Sequence, residues 1–144
     1  MAFDYSKPTS FGGNSKIAMV WSQLNIVTSQ ASVAMQIGGV AAMTQAGMLY
    51  DGQILGIVAH ANTPITASTI RFIPTINGVT VTALAATNSA TGVSTLSASA
   101  SVADPYATST RKFVAGDRLG VKHSTTASYA PATADWTATM YLEI

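Results

Sequence analysis

The closing segment, Ala134 to Ile144, constrains the fold more than any other part of the chain. Trp136, Ala138, Met140, Leu142 and Ile144 alternate there with Thr137, Thr139, Tyr141 and Glu143. Successive side chains on a β-strand point to opposite faces, so a period of two gives one apolar face and one mostly polar face. That pattern belongs to an antiparallel strand with one side on a core. It runs to the last residue of the sequence, so the C-terminus is expected within a sheet.

Other segments read in the same way. Ile17 to Val27 is rich in β-branched and aromatic residues, and Ser32 to Ile37 sets Val33, Met35 and Ile37 against Ser32, Ala34 and Gln36. Gly38-Gly39 breaks that run, and residues 40–47 are expected as a short helix or a loop. Met48 to Ala59 reads as one long strand, or as two joined at Asp51-Gly52, with Gly52 and Gly56 marking a bulge or a close backbone approach. Thr69 to Ile76 follows, with Ile70, Phe72 and Pro74 on one face and Pro74 pointing to an edge or a bulge. Asn77-Gly78 predicts a tight hairpin turn into Val79–Leu84. Residues 85–103 are small, polar and weakly patterned, fitting a long loop or a poorly marked strand. Lys112 to His123 gives Phe113, a turn at Ala115-Gly116-Asp117, and a strand with Leu119, Val121 and His123 on one face.

About eight strands separated by turn signals, with no amphipathic helix, predict an all-β fold: an antiparallel β-sandwich, preferably an eight-stranded jelly roll. Residues 17–144 are expected to form that domain. Residues 1–16 lack periodicity and read as an extended N-terminal arm. Its aromatics Phe3, Tyr5 and Phe11, with Pro8 between them, are uncommon in a purely disordered tail and point either to an arm that docks on a partner or to a terminus that packs on its own domain.

Composition narrows the function. Only 9% of residues are charged, against about 25% in an ordinary soluble domain. Net charge is +1 and mean hydropathy is +0.32. Surface charge is the usual source of solubility, so either much of this surface is covered by partners, the preferred reading, or the abundant Ser, Thr, Asn and Gln keep it wet. Cys is absent, which excludes a disulfide framework, a thiolate metal site and a cysteine nucleophile. No apolar run is long enough for a spanning helix, and the first ten residues, with Asp4 and Pro8, do not read as a secretory signal. The seven Lys and Arg are scattered, with only Arg111 and Lys112 adjacent, so no basic patch for nucleic acid is expected.

The run Phe113-Val114-Ala115-Gly116-Asp117-Arg118-Leu119-Gly120-Val121, then a Thr/Ser/Ala-rich loop, then Ala134-Asp135-Trp136-Thr137-Ala138-Thr139-Met140-Tyr141-Leu142, resembles the closing strands of small jelly-roll domains of tailed bacteriophages. Such domains occur in capsid decoration (cement) proteins and at fibre heads, with a fold similar to the tumour-necrosis-factor and C1q trimers. Phe113, Gly116 and Asp117 anchor its most specific part, a strand–turn–strand signature. The resemblance covers about half the chain, and the first 47 residues match nothing in it. It implies a homotrimer attached to the major capsid protein on the virion surface.

Reactive constellations are sparse. Asp117 after Gly116 reads as a turn residue capping its own loop. His60 and His123 stand far apart with no carboxylate beside either, short of the three or four converging ligands a metal needs. No G-x-S-x-G elbow occurs, and Gly12-Gly13-Asn14-Ser15-Lys16 lacks the order of a phosphate loop. Trp21 and Trp136 fall on apolar strand faces and are expected in the core, and Met35, Met43 and Met48 in the core or a subunit seam. No catalytic, cofactor or metal site is therefore expected, and the two separated His argue against a cupin-like metalloenzyme. The expected function is capsid decoration, stabilising the shell. The alternative is a fibre-head or receptor-binding domain that recognises a host glycan through residues 85–110 or 124–134, where Tyr106 and Tyr129 are the main aromatics.

Overall fold

A computed structural model of the chain describes residues 15–99 and 111–144. Within these the first strands are β1 (Lys16–Ile26), β2 (Val33–Ala34), β3 (Gln45–Gly47), β4 (Gly52–Ala61) and β5 (Ile70–Ile76). They are followed by β6 (Val79–Thr80), a 3-10 turn (Thr82–Leu84), β7 (Ala86–Asn88), β8 (Thr95–Ser99), β9 (Lys112–Phe113), β10 (Arg118–Thr125) and β11 (Ala134–Glu143). All pairings are antiparallel and build two sheets. Sheet A runs β1-β11-β4-β8, with β9 also on β4, and sheet B runs β2-β10-β5-β6, with β3 also on β10 and β7 also on β5. β2 and β3 share one edge of β10, β6 and β7 one edge of β5, and β8 and β9 one edge of β4. The eleven strands thus fill eight positions, four in each sheet.

The two sheets face each other across one core. β11 supplies Ala134, Trp136, Ala138, Met140 and Leu142, all buried, as its alternation requires. Ile54, Ile57, Ala59 and Ala61 come from β4, Ile70 and Phe72 from β5, and Leu119 and Val121 from β10. The Phe72 and Trp136 rings, one from each sheet, lie 4.9 Å apart at a tilt of 43°. Both Trp residues are in the core, and each indole N–H is satisfied: Trp21 Nε1 donates to the Thr44 carbonyl at 3.2 Å, Trp136 Nε1 to the Tyr129 hydroxyl at 2.9 Å. Truncating a Trp in such a setting costs about 3–5 kcal/mol.

Several segments differ from the sequence reading, each for a visible reason. Ser32–Ile37 is not one strand because it crosses between sheets: the Met35 amide bonds to Val121 in sheet B, while Gln36 exchanges bonds with Ser22 in sheet A. Residues 40–47 contain no helix. Gly38 and Gly39, at φ +61° and +73°, turn the chain so that Ile37 bridges Val40, and Gln45–Gly47 then joins β10. Met48 stops short of β4 because its backbone bonds to the turn at Gly116 and Asp117, and the strand begins only at Gly52. Within residues 85–99 the poorly marked strand is the alternative that holds: residues 86–88 and 95–99 are strands built from Ala, Ser, Thr, Asn and one Leu, too small for a periodic signal.

Pro74 lies within β5, between β10 and β6/β7, rather than at an edge. Its carbonyl accepts from Val81 at 2.8 Å, so its N-terminal side faces the gap between β7 and β6, where no ladder donor is needed. Asn77 and Gly78 both have positive φ (51° and 81°), the backbone of a type I′ hairpin turn. At Gly56 a Cβ would sit 2.7 Å from the Ala98 carbonyl, and β4 carries an extra residue, Leu55, between the partners of Tyr141 and Leu142. Both expected features, bulge and close approach, occur there.

Candidate partner-binding surfaces

The strand–turn–strand signature is a pinned corner. Phe113 is buried in the core, and Gly116 takes φ +97° between β9 and β10. The Asp117 carboxylate accepts from the Val114 amide at 2.9 Å and from Asn77 Nδ2 at 2.7 Å. The Val114 bond first, then the Asn77 bond, holds its pKa below the usual carboxylate value. Asn77 Oδ1 in turn accepts from the Arg118 amide at 2.9 Å, tying the β5–β6 hairpin to the β9–β10 turn. These bonds tie the β9–β10 turn to itself and to the β5–β6 hairpin.

The two histidines occupy different settings. His60 is exposed on β4, with Nδ1 2.9 Å from the Thr95 hydroxyl across the sheet. His123 sits within β10, 1% exposed, on the core face with Leu119 and Val121, the face its alternation gives it. Its Nε2 is 2.6 Å from Gln30 Oε1, its ring centroid is 6.3 Å from that of Phe72, and Nδ1 has no partner. Burial lowers its pKa to about 4. Among the described residues, no three His, Asp or Glu side chains gather where they could hold a metal ion.

Tyr129 corrects another expectation. It is not a loop aromatic available to a glycan: it is 1% exposed, with its hydroxyl taken by Trp136. Burial raises its pKa. Tyr106, and the arm residues Phe3, Tyr5, Pro8 and Phe11, lie outside the described residues. Of the three methionines singled out, Met35 and Met48 are buried and Met43 is 52% exposed.

The outward faces of the two sheets differ sharply in charge. Across sheet A the register aligns three rows: Ala18–Tyr141–Gly56–Ser99, Val20–Thr139–Val58–Ser97 and Ser22–Thr137–His60–Thr95. None contains Asp, Glu, Lys or Arg. Charge appears only beyond these rows, at the two ends of the sheet: in the row Lys16–Glu143–Gln53–Lys112, where Gln53 Nε2 donates to Glu143, and at Asp135 on the opposite end of β11, whose carboxylate accepts from the Asn25 amide and from Asn62 Nδ2. Around Gly56 the missing side chain leaves a shallow apolar depression lined by Leu55, Val58, Ala98 and Tyr141. Sheet B instead turns Arg71, Arg118 and Lys122 outward, with Lys122 Nζ donating to the Gly78 carbonyl at 3.1 Å.

Composition alone foretold scarce charge but not its segregation, since rows across a sheet depend on register. Comparison with protein-family models and with curated proteins finds no match for this chain.

Proposed function

We propose that this chain is a structural virion protein, a capsid decoration protein that binds the outer surface of a phage shell as a homotrimer and stabilises it. The observation that carries this reading is the outer face of sheet A: three aligned rows with no formal charge, and Val20 and Tyr141 about half exposed (51% and 45%). A solvated sheet face in a soluble domain ordinarily carries charge of both signs, and an uncharged face is suited to burial against another protein. The two four-position sheets, ordered 1-8-3-6 and 2-7-4-5 by strand position, support the jelly-roll form of the sandwich. The signature Phe113, Gly116 and Asp117 adds the resemblance to phage decoration and fibre-head domains.

The mechanism is adhesive. Apolar area buried at each contact contributes about 25 cal/mol per Å². Three linked copies turn weak single contacts into durable attachment through effective concentration. The expected arm is shorter than residues 1–16, since Ser15 and Lys16 belong to the ladder with β11; the residues before them would extend the grip to a neighbouring copy or to the major capsid protein. Replacing Phe3, Tyr5 and Phe11 together by Ser should lower occupancy on purified shells while leaving the melting transition unchanged. Equal occupancy of the altered and native chains would refute the arm's role. The glycan-binding alternative loses support from Tyr129, whose ring belongs to the core.

A further inference from the structure

β1 is the outer strand of sheet A, and the first half of its free edge is open. Ser15 and Ile144 exchange both backbone bonds, at 3.1 and 2.9 Å, so the odd-numbered residues of β1 turn their amide and carbonyl groups toward β11. The even-numbered residues turn theirs away. Ser22 confirms the phase: its outward amide and carbonyl exchange bonds with Gln36 at 2.7 and 2.9 Å. Among the described residues nothing bonds the outward groups of Lys16, Ala18 and Val20. The edge is therefore a five-residue window, closed by Gln36 beyond Val20.

Proteins usually blunt such an edge with charge, proline or a covering element. Here the only charge is Lys16, and the side chains along the window are apolar: Ile17 is 36% exposed, Val20 51%, and Met19 half-buried. The window is also its own antiparallel complement. Centred on Ala18, it sets Ala18 against Ala18 of a second copy and Lys16 against the second copy's Val20. The two ammonium groups never oppose each other, and each Lys stem can lie along a Val side chain. Three hydrogen-bonded pairs would exchange about six backbone bonds.

We propose that the edge Lys16–Val20 is a self-association seam, at which two copies join their β1 strands antiparallel and fuse two A sheets into one. The seam is short of the roughly 800 Å² a side of a standard interface, so the association is reversible and concentration-dependent. It is independent of trimer formation: it doubles whatever species the chain forms by other contacts.

Sedimentation velocity of the full chain over a concentration series tests this, with three variants. Ala18→Pro removes only an outward donor and leaves the β11 ladder intact. Val20→Lys sets a second ammonium opposite Lys16 of the other copy, whereas Val20→Glu sets a carboxylate there. The expected result is a concentration-dependent doubling of the base species, weakened at least about tenfold by Ala18→Pro and by Val20→Lys and retained by Val20→Glu. Absence of doubling in the native chain, as when its own arm covers the edge, overturns the seam. So does doubling that is indifferent to Ala18→Pro and Val20→Lys, or lost equally in both Val20 variants. A trimer that persists unchanged beside such a result would overturn the seam alone and leave the decoration reading standing.

Discussion

His123 should make this fold acid-sensitive in a defined window. In the folded chain the imidazole is buried among uncharged neighbours, Phe72 and Gln30, and Nε2–H is committed to Gln30 Oε1. A second proton must go to Nδ1, which has no acceptor nearby. The folded-state pKa is lowered from 6.5 to about 4 by desolvation. The unfolded chain binds that proton more readily, so the stability contributed by neutral His123 is complete above pH 6.5 and is lost as pH falls toward 4. The gap corresponds to about 2 kcal/mol at pH 5 and about 3 kcal/mol below pH 4. Against a typical domain stability of about 5–15 kcal/mol, that is a large fraction. Urea unfolding at steps from pH 7.5 to 4.5 reads it directly. The native midpoint should fall through this range, whereas His123→Leu, although less stable at pH 7.5 because Gln30 loses its partner, should show a much flatter dependence. A native midpoint that is level between pH 7.5 and 5, or an equal slope in His123→Leu, would refute the reasoning.

Two further substitutions probe the frame around the proposed surfaces. Tyr129→Phe leaves the Trp136 indole N–H buried without an acceptor, and a loss of about 1–3 kcal/mol in urea unfolding is expected. Gly56→Val would drive a side chain into the Ala98 carbonyl and part β8 from β4, with an expected cost of about 1–3 kcal/mol and faster amide exchange in residues 95–99.

Much of the frame was legible because burial on one side writes a period of two into the sequence. β11 is the clearest case, and the positions of Leu119, Val121 and His123 on one face were readable for the same reason. The burial of His123 was implicit in that alternation, but a titratable ring inside a core runs against its polarity. β7 and β8 were hidden because Ala, Ser and Thr fill their positions, with Leu96 the one large side chain turned inward. Tyr129 gave no periodic signal because it stands in a loop between β10 and β11, and its hydroxyl's destination depends on a partner seven residues along the chain. The neutral face of sheet A and the open edge at Lys16–Val20 arise from register and from which strand lies outermost. Neither is a property of any single segment.

The central claim is that this domain acts by attachment to a shell. Counting its copies on purified capsids, after mixing native chain with shells stripped of their accessory proteins and imaging them by cryo-electron microscopy, addresses that claim most directly. The account predicts threefold density on the outer surface at one repeated position of the capsid lattice, with bound shells more resistant to heat than bare ones. Bare shells at saturating concentrations of chain, or density without a fixed lattice position, would contradict it.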